Sequence, residues 1–141
     1  MHAHLFRVIL PVNDIDRAAG FYSTLFGVPG ERVSPGRHYF DCGGTILACF
    51  DARADGDGFE CPPNPEHVYL AVDDLGEALE TARRAGAHGL DSRGTEEGRT
   101  IAVRPWGERS FYCRDPFGNP LCFVERGTEY RGGSFPPLAQ G

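Results

Sequence analysis

The stretch Arg7–Asp14, Arg-Val-Ile-Leu-Pro-Val-Asn-Asp, recurs 60 residues later as His67–Asp74, His-Val-Tyr-Leu-Ala-Val-Asp-Asp. Between positions 7–18 and 67–78, Val8/Val68, Leu10/Leu70, Val12/Val72, Asp14/Asp74 and Ala18/Ala78 are identical, and Ile15/Leu75 is a close match. Unrelated windows of this length share about one identity, because each residue type makes up only several per cent of an average protein. Such a chain is two copies of one small module, with Arg7 and His67 at equivalent places.

Each copy opens with a strand. Phe6, Val8, Leu10 and Val12 fall on one face and Arg7, Ile9 and Pro11 on the other; Val68, Leu70 and Val72 repeat the first face, and His67, Tyr69 and Ala71 the second. Asn13 or Asp14 is placed to cap a helix carrying Ile15, Ala18, Ala19, Phe21, Tyr22, Leu25 and Phe26, which stops at Gly27. Asp73 or Asp74 does the same for Leu75, Ala78, Leu79 and Ala82, with the stop at Gly86. Strands are expected at 37–42 and 45–50 around Gly43-Gly44, with a short one at 31–34; in the second copy they fall at 100–104, 109–114 and 120–125, after a polar loop at 91–99.

The fold class is therefore α+β: two βαβββ modules forming a curved mixed sheet, helices outside and a concave groove inside. The 141 residues suit a single domain. Module one covers about 5–50 and module two about 67–126. Residues 51–66, acidic and rich in Gly and Pro, are a linker whose charges are expected to be solvated, and 127–141 a flexible tail or an arm lying on a partner.

A net charge of −6 argues against nucleic acid or an anionic membrane as partner, and no apolar run approaches the ~20 residues of a membrane helix. Five cysteines (42, 49, 61, 113 and 122), odd in number and without Cys-x-x-Cys spacing, suggest reduced thiols in a cytoplasmic protein. Cys49, Cys113 and Cys122 lie in apolar runs, where a free Cys is usually a small buried hydrophobe.

Taken together, the paired Val-x-Leu-x-Val-x-Asp strands, Arg17-Ala18-x-x-Phe21-Tyr22-x-x-x-Phe26-Gly27, and Asp115-Pro116-Phe117-Gly118-Asn119-Pro120 resemble the vicinal-oxygen-chelate superfamily. That group contains glyoxalase I, extradiol dioxygenases, and fosfomycin- and bleomycin-resistance proteins. The resemblance spans about residues 5–126, and membership does not fix the reaction. In the metal-dependent members, a divalent cation is held by His and Glu from the first and last strands of each module. The matching first-strand positions here are Arg7 and His67; the last-strand positions are Cys122 and either Ala48 or Cys49. One usual ligand of four is present, so no cofactor is expected, and a metal would rest on His67 and Cys122. His2, His4 and His38 would add to such a site only by unusual geometry.

The run Arg104-Pro105-Trp106-Gly107-Glu108 through Asn119 is similar to bleomycin-resistance-like members, metal-free homodimers that sequester a flat cationic drug. Tyr112, three residues before Asp115, matches a pocket tyrosine of the extradiol dioxygenases. The resemblance thus implies a homodimeric small-molecule binder, of resistance or sequestration type, with a groove of Arg7, Phe40, His67, Tyr69, Trp106, Tyr112 and Cys122. Arg7 would meet an anionic ligand or a groove carboxylate, and Trp106 would stack on a flat ligand or serve as a core residue. The alternatives are a glyoxalase- or dioxygenase-like enzyme, with His67 as base or ligand and Cys122 as ligand or thiol, and a dimer with a vestigial groove.

Overall fold

In the computed structural model, residues 1–90 and 100–133 are described. The polar loop expected at 91–99 and the last residues of the tail lie outside them. Ten elements follow in order: β1 (Arg7–Pro11), α1 (Ile15–Phe26), β2 (Glu31–Ser34), β3 (Arg37–Cys42) and β4 (Thr45–Phe50), then β5 (Val68–Val72), α2 (Leu75–Ala85), β6 (Ala102–Val103), β7 (Arg109–Arg114) and β8 (Pro120–Glu125). The βαβββ plan therefore occurs twice. Each copy makes its own mixed four-stranded sheet, ordered β1-β4-β3-β2 and β5-β8-β7-β6. The first strand of each module runs parallel to its last, and the remaining pairs are antiparallel.

Asp14 and Asp74, rather than Asn13 and Asp73, are the N-caps; their carboxylates accept from the backbone N–H of Arg17 and Glu77 at 3.1 and 3.0 Å. Gly27 and Gly86 end the helices at φ of +70° and +98°, where a side chain would be strained. The first unit spans residues 1–65 together with 116–119. Its core forms where α1 lays Tyr22 and Phe26 on Phe40, with ring centroids 6.1 and 5.6 Å apart, over Leu10, Leu47 and Cys49. The second unit, 66–115 with the residues from 120 onward, is built around stacked Phe111 and Phe123, with Leu75, Ala82, Cys113 and Leu121.

Residues 51–57 are not a free linker. Asp51 N donates to Gly36 O at 2.7 Å, and Asp55 accepts from Ser34 Oγ and Gly36 N and pairs with Arg37. Those hydrogen bonds, Ser34's foremost, together with Arg37's charge, hold the Asp55 carboxyl below its usual range. A Cβ on Gly36 would lie 2.2 Å from Asp51 O, so glycine is required for this close approach.

Asn119 closes the Asp-Pro-Phe-Gly-Asn turn and is fully buried. Its Oδ1 accepts from Asn64 N at 2.8 Å and its Nδ2 donates to Pro11 O at 2.7 Å, while Asn64 Nδ2 donates to Ile9 O at 3.1 Å. These amides satisfy carbonyls along the edge of β1 that does not pair with β4.

Candidate functional site

Strand pairing settles which side chains share a face. Tyr69 lies opposite Cys122 and Ile9 opposite Ala48. Because Ile9 and Tyr69 are repeat partners, the module-one counterpart of Cys122 is Ala48, and Cys49 faces α1. Module one thus carries Arg7 and Ala48 at the positions where the resemblance implies ligands, and module two carries His67 and Cys122.

That donor set does not fit a divalent cation. A guanidinium cannot ligate, alanine offers nothing, and Cys122 is fully buried with its thiol pushed up to about 11. Burial is the main cause of that shift, only partly offset by the Ser110 hydrogen bond and the Arg104 charge. Cys122 is accordingly a poor thiolate ligand and a poor nucleophile. His38, another potential contributor, sits on the helix side of its sheet, buried against Phe40. Its Nδ1 accepts from Arg32 Nε at 3.3 Å, so the proton resides on Nε2, which donates to Pro29 O at 2.9 Å.

Two residues of the expected groove behave differently from expectation. Phe40 is 1% exposed beneath α1, because the alternation of β3 turns His38 and Phe40 inward and Tyr39 outward. Phe40 is a core residue and does not line a groove. Arg7 is exposed, so it needs no buried counter-ion: its Nη1 donates to the Tyr39 hydroxyl at 3.0 Å, and it packs over the rings of Phe6 and Tyr39.

The remaining five meet on the second sheet, on the face away from α2. His67 sits edge-on to Tyr112, with centroids 5.0 Å apart, and 6.3 Å from Tyr69. Burial and the nearby Arg114 cation lower the pKa of His67, Glu66 acting weakly the other way, which favours the neutral imidazole. Burial likewise raises both tyrosines. Behind Tyr112, buried Arg104 places its guanidinium 4.5 Å from the ring centroid and donates through Nε and Nη2 to Ser110 Oγ and O, both at 2.9 Å.

Beside this cluster opens a cavity of about 520 Å³. Tyr69, Trp106 and Tyr130 wall it, Ala71 and Val124 floor it, and Glu108, Glu129 and Arg131 supply charge. Trp106 is aimed by a three-residue hairpin loop. Gly107 N donates to Arg104 O at 2.8 Å, Arg104 N to Glu108 O at 2.7 Å, and Gly107 takes φ of +93°. The third wall comes from the segment expected to be a flexible tail. Arg126 N donates to Val72 O at 2.8 Å, Thr128 Oγ accepts from Arg109 N at 3.1 Å, and Tyr130 N donates to Glu108 Oε2 at 2.9 Å. His67, Tyr112 and Cys122 share the face but are not on the cavity wall.

The expected groove lacked Glu108, Ala71, Val124, Glu129, Tyr130 and Arg131. The first three were within reach: extending the alternation of β7 back one step puts 108 on the face of Ser110 and Tyr112, and Ala71 and Val124 follow Tyr69 and Cys122 in the same way. For Tyr130, beyond the last strand, no periodicity exists to read.

The model of the Glyoxalase/Bleomycin resistance protein/Dioxygenase superfamily matches residues 4–123. The chain belongs to that superfamily. Solved structures similar to it include a glyoxalase-related enzyme from Fulvimarina pelagi, at 19% identity and a TM-score of 0.68 over 92% of this chain and 93% of that one. A lactoylglutathione lyase from Agrobacterium tumefaciens is 21% identical, TM-score 0.65, over 89% and 95%. A glyoxalase/bleomycin resistance protein/dioxygenase from Alicyclobacillus acidocaldarius is 26% identical, TM-score 0.55, over 86% and 90%. None of the curated proteins matches the chain. Likeness at this distance is a likeness of fold.

Proposed function

We propose that the chain is a metal-free binding protein that takes a small planar, partly apolar molecule on the open face of its second sheet. The observation that carries this reading is the trio Tyr69, Trp106 and Tyr130 around an apolar floor of Ala71 and Val124. Aromatic walls offer large contact area at small conformational cost, and a few fixed polar groups orient the guest. The donor chemistry of Arg7, Ala48, His67 and Cys122 supports the metal-free part.

Trp106 is the chain's single tryptophan, so its emission reports directly on the cavity. A panel of planar heteroaromatic compounds should include quenchers with saturable binding. By calorimetry, Trp106→Ala and Tyr69→Ala should each weaken binding about tenfold, roughly the value of a lost aromatic pair with its buried area. His67→Ala should change affinity less. Affinity that falls with His67→Ala and ignores both aromatic substitutions would sink the reading.

A second reading, an enzyme, is favoured by one arrangement: a neutral imidazole edge-on to Tyr112 with the Arg114 cation nearby. Such a base could take a proton while the cation stabilises the anion left behind. It requires a turnover that His67→Ala abolishes while the fold persists.

A further inference from the structure

We propose that Glu108 is the latch that assembles the cavity: one carboxylate holds both the indole of Trp106 and the chain segment that carries Tyr130. Its role as a ligand clamp rests on the binding reading above, but the latch itself does not.

Glu108 is only 8% exposed, and a carboxylate removed from water must be compensated. The compensation is divided between its two oxygens: Oε1 accepts from Trp106 Nε1 at 2.7 Å, and Oε2 accepts from Tyr130 N at 2.9 Å. Hydrogen bonds to an ionised acceptor are about twice as strong as neutral ones. Both donors belong to residues that wall the cavity, on opposite sides of it in sequence, one before β7 and one after β8. A single buried side chain thereby sets the separation of two aromatic surfaces.

The route of the C-terminal segment shows where it would give way. Up to Thr128 it is tied to its own sheet, by Arg126 N to Val72 O, by Thr128 Oγ to Glu125 O at 2.7 Å, and by Arg109 N to Thr128 Oγ. Gly127, at φ of +100°, turns the chain back toward the open face. Past Thr128, the Tyr130–Glu108 bond attaches the backbone to the sheet again. Segment 129–131 is therefore a clamp pivoting at Thr128 and latched at Glu108, and unlatching it moves Tyr130 away from its place across from Trp106.

The test uses the full chain and begins without ligand. Amide exchange at Tyr130 and the Trp106 indole N–H signal are followed by NMR in wild type, Glu108→Gln and Glu108→Ala, with the Arg126 amide as internal control. Glutamine replaces one of the two carboxylate oxygens with an NH2 donor, so one of the two N–H groups, each of which bonds a different oxygen, faces another donor instead of an acceptor. Glu108→Gln should speed exchange at Tyr130 or at the indole at least tenfold while leaving Arg126 unchanged, and Glu108→Ala should release both. Should Glu108→Ala fail to fold, the Gln variant carries the test. Tyr130 exchange in wild type as fast as in the variants, or a change shared equally by Arg126, overturns the latch. With a planar ligand from the fluorescence panel, Tyr130→Pro, which removes the donor, should raise the off-rate about tenfold. Absence of any planar ligand would instead sink the binding reading and leave the latch standing on the exchange result.

Discussion

The two modules agree where they pack and differ where they do not. Val8/Val68, Leu10/Leu70 and Val12/Val72 are identical, and all lie on the face toward the helix of their own module. On the opposite face the partners are Arg7/His67, Ile9/Tyr69, Pro11/Ala71 and Ala48/Cys122, with no identity among them. Each module buries aromatics under its helix, Phe21, Tyr22 and Phe40 in the first and Phe111 and Phe123 in the second, and on its open face the first carries Tyr39 under the Arg7 side chain. The second leaves Tyr69 56% exposed and sets Trp106, Tyr112 and His67 along the same open face. Packing under a helix constrains a residue's size and polarity closely, whereas the open face is free to take on chemistry. One copy has become a scaffold and the other carries the candidate site.

The largest expected effect contrasts the two aromatic sets directly. Phe40→Ala removes a buried ring in contact with Tyr22, Phe26 and His38 and should destabilise the protein by about 3–5 kcal/mol in chemical denaturation. Tyr69→Ala, on the open face, should lie within about 0.5 kcal/mol of wild type. Similar losses in both would break the division between scaffold and site.

A smaller effect compares the last hairpin turns. In module one, Gly43-Gly44 needs only the exposed bond from Gly44 N to Asp41 Oδ1, 2.7 Å long. In module two, Asn119 satisfies two backbone groups from full burial. Asn119→Ala leaves the Asn64 amide and the Pro11 carbonyl without that partner and should cost about 1–3 kcal/mol, against roughly 0.5 for Asp41→Ala. Equal midpoints for the two variants in urea would show that the turns are interchangeable.

How far the sequence could be read follows from the same distinction. Strands 37–42, 45–50, 109–114 and 120–125, both helix stops and both modules were legible, because period-2 and period-3.6 patterns record burial on one face. The first sheet face was misread at Phe40 because an aromatic in an alternating strand looks alike on either side until its partner strand is known. Residues 51–57 looked like a linker since composition does not disclose that Asp55 has a docking place on Ser34, Gly36 and Arg37. Of the candidate site, the His67, Tyr69 and Tyr112 face was visible in the alternation and Trp106 in its turn. The Glu108–Tyr130 contact joins residues 22 apart through a non-repetitive segment and leaves no pattern to detect.

The finest contrast lies at the repeat partners Arg7 and His67. An arginine side chain keeps its charge at any ordinary pH. His67 does not. Its folded pKa lies below the usual 6.5, with burial the first cause and the Arg114 cation the second. The unfolded chain therefore binds the proton more readily than the folded one. The resulting contribution to stability is fully present above about pH 6.5 and is lost progressively as the pH falls from there through the folded midpoint. Following the His67 Cε1–H resonance should give a midpoint below 6.5 in wild type. Arg114→Gln should move it upward without restoring 6.5, because burial remains, and Glu66→Gln should move it slightly down. A wild-type midpoint at or above 6.5 would place His67 in a solvated or acid-paired setting and remove the support for it as a neutral base. A midpoint that ignores Arg114→Gln would assign the whole shift to burial, leaving the imidazole neutral but without a cation to steady an anion beside it.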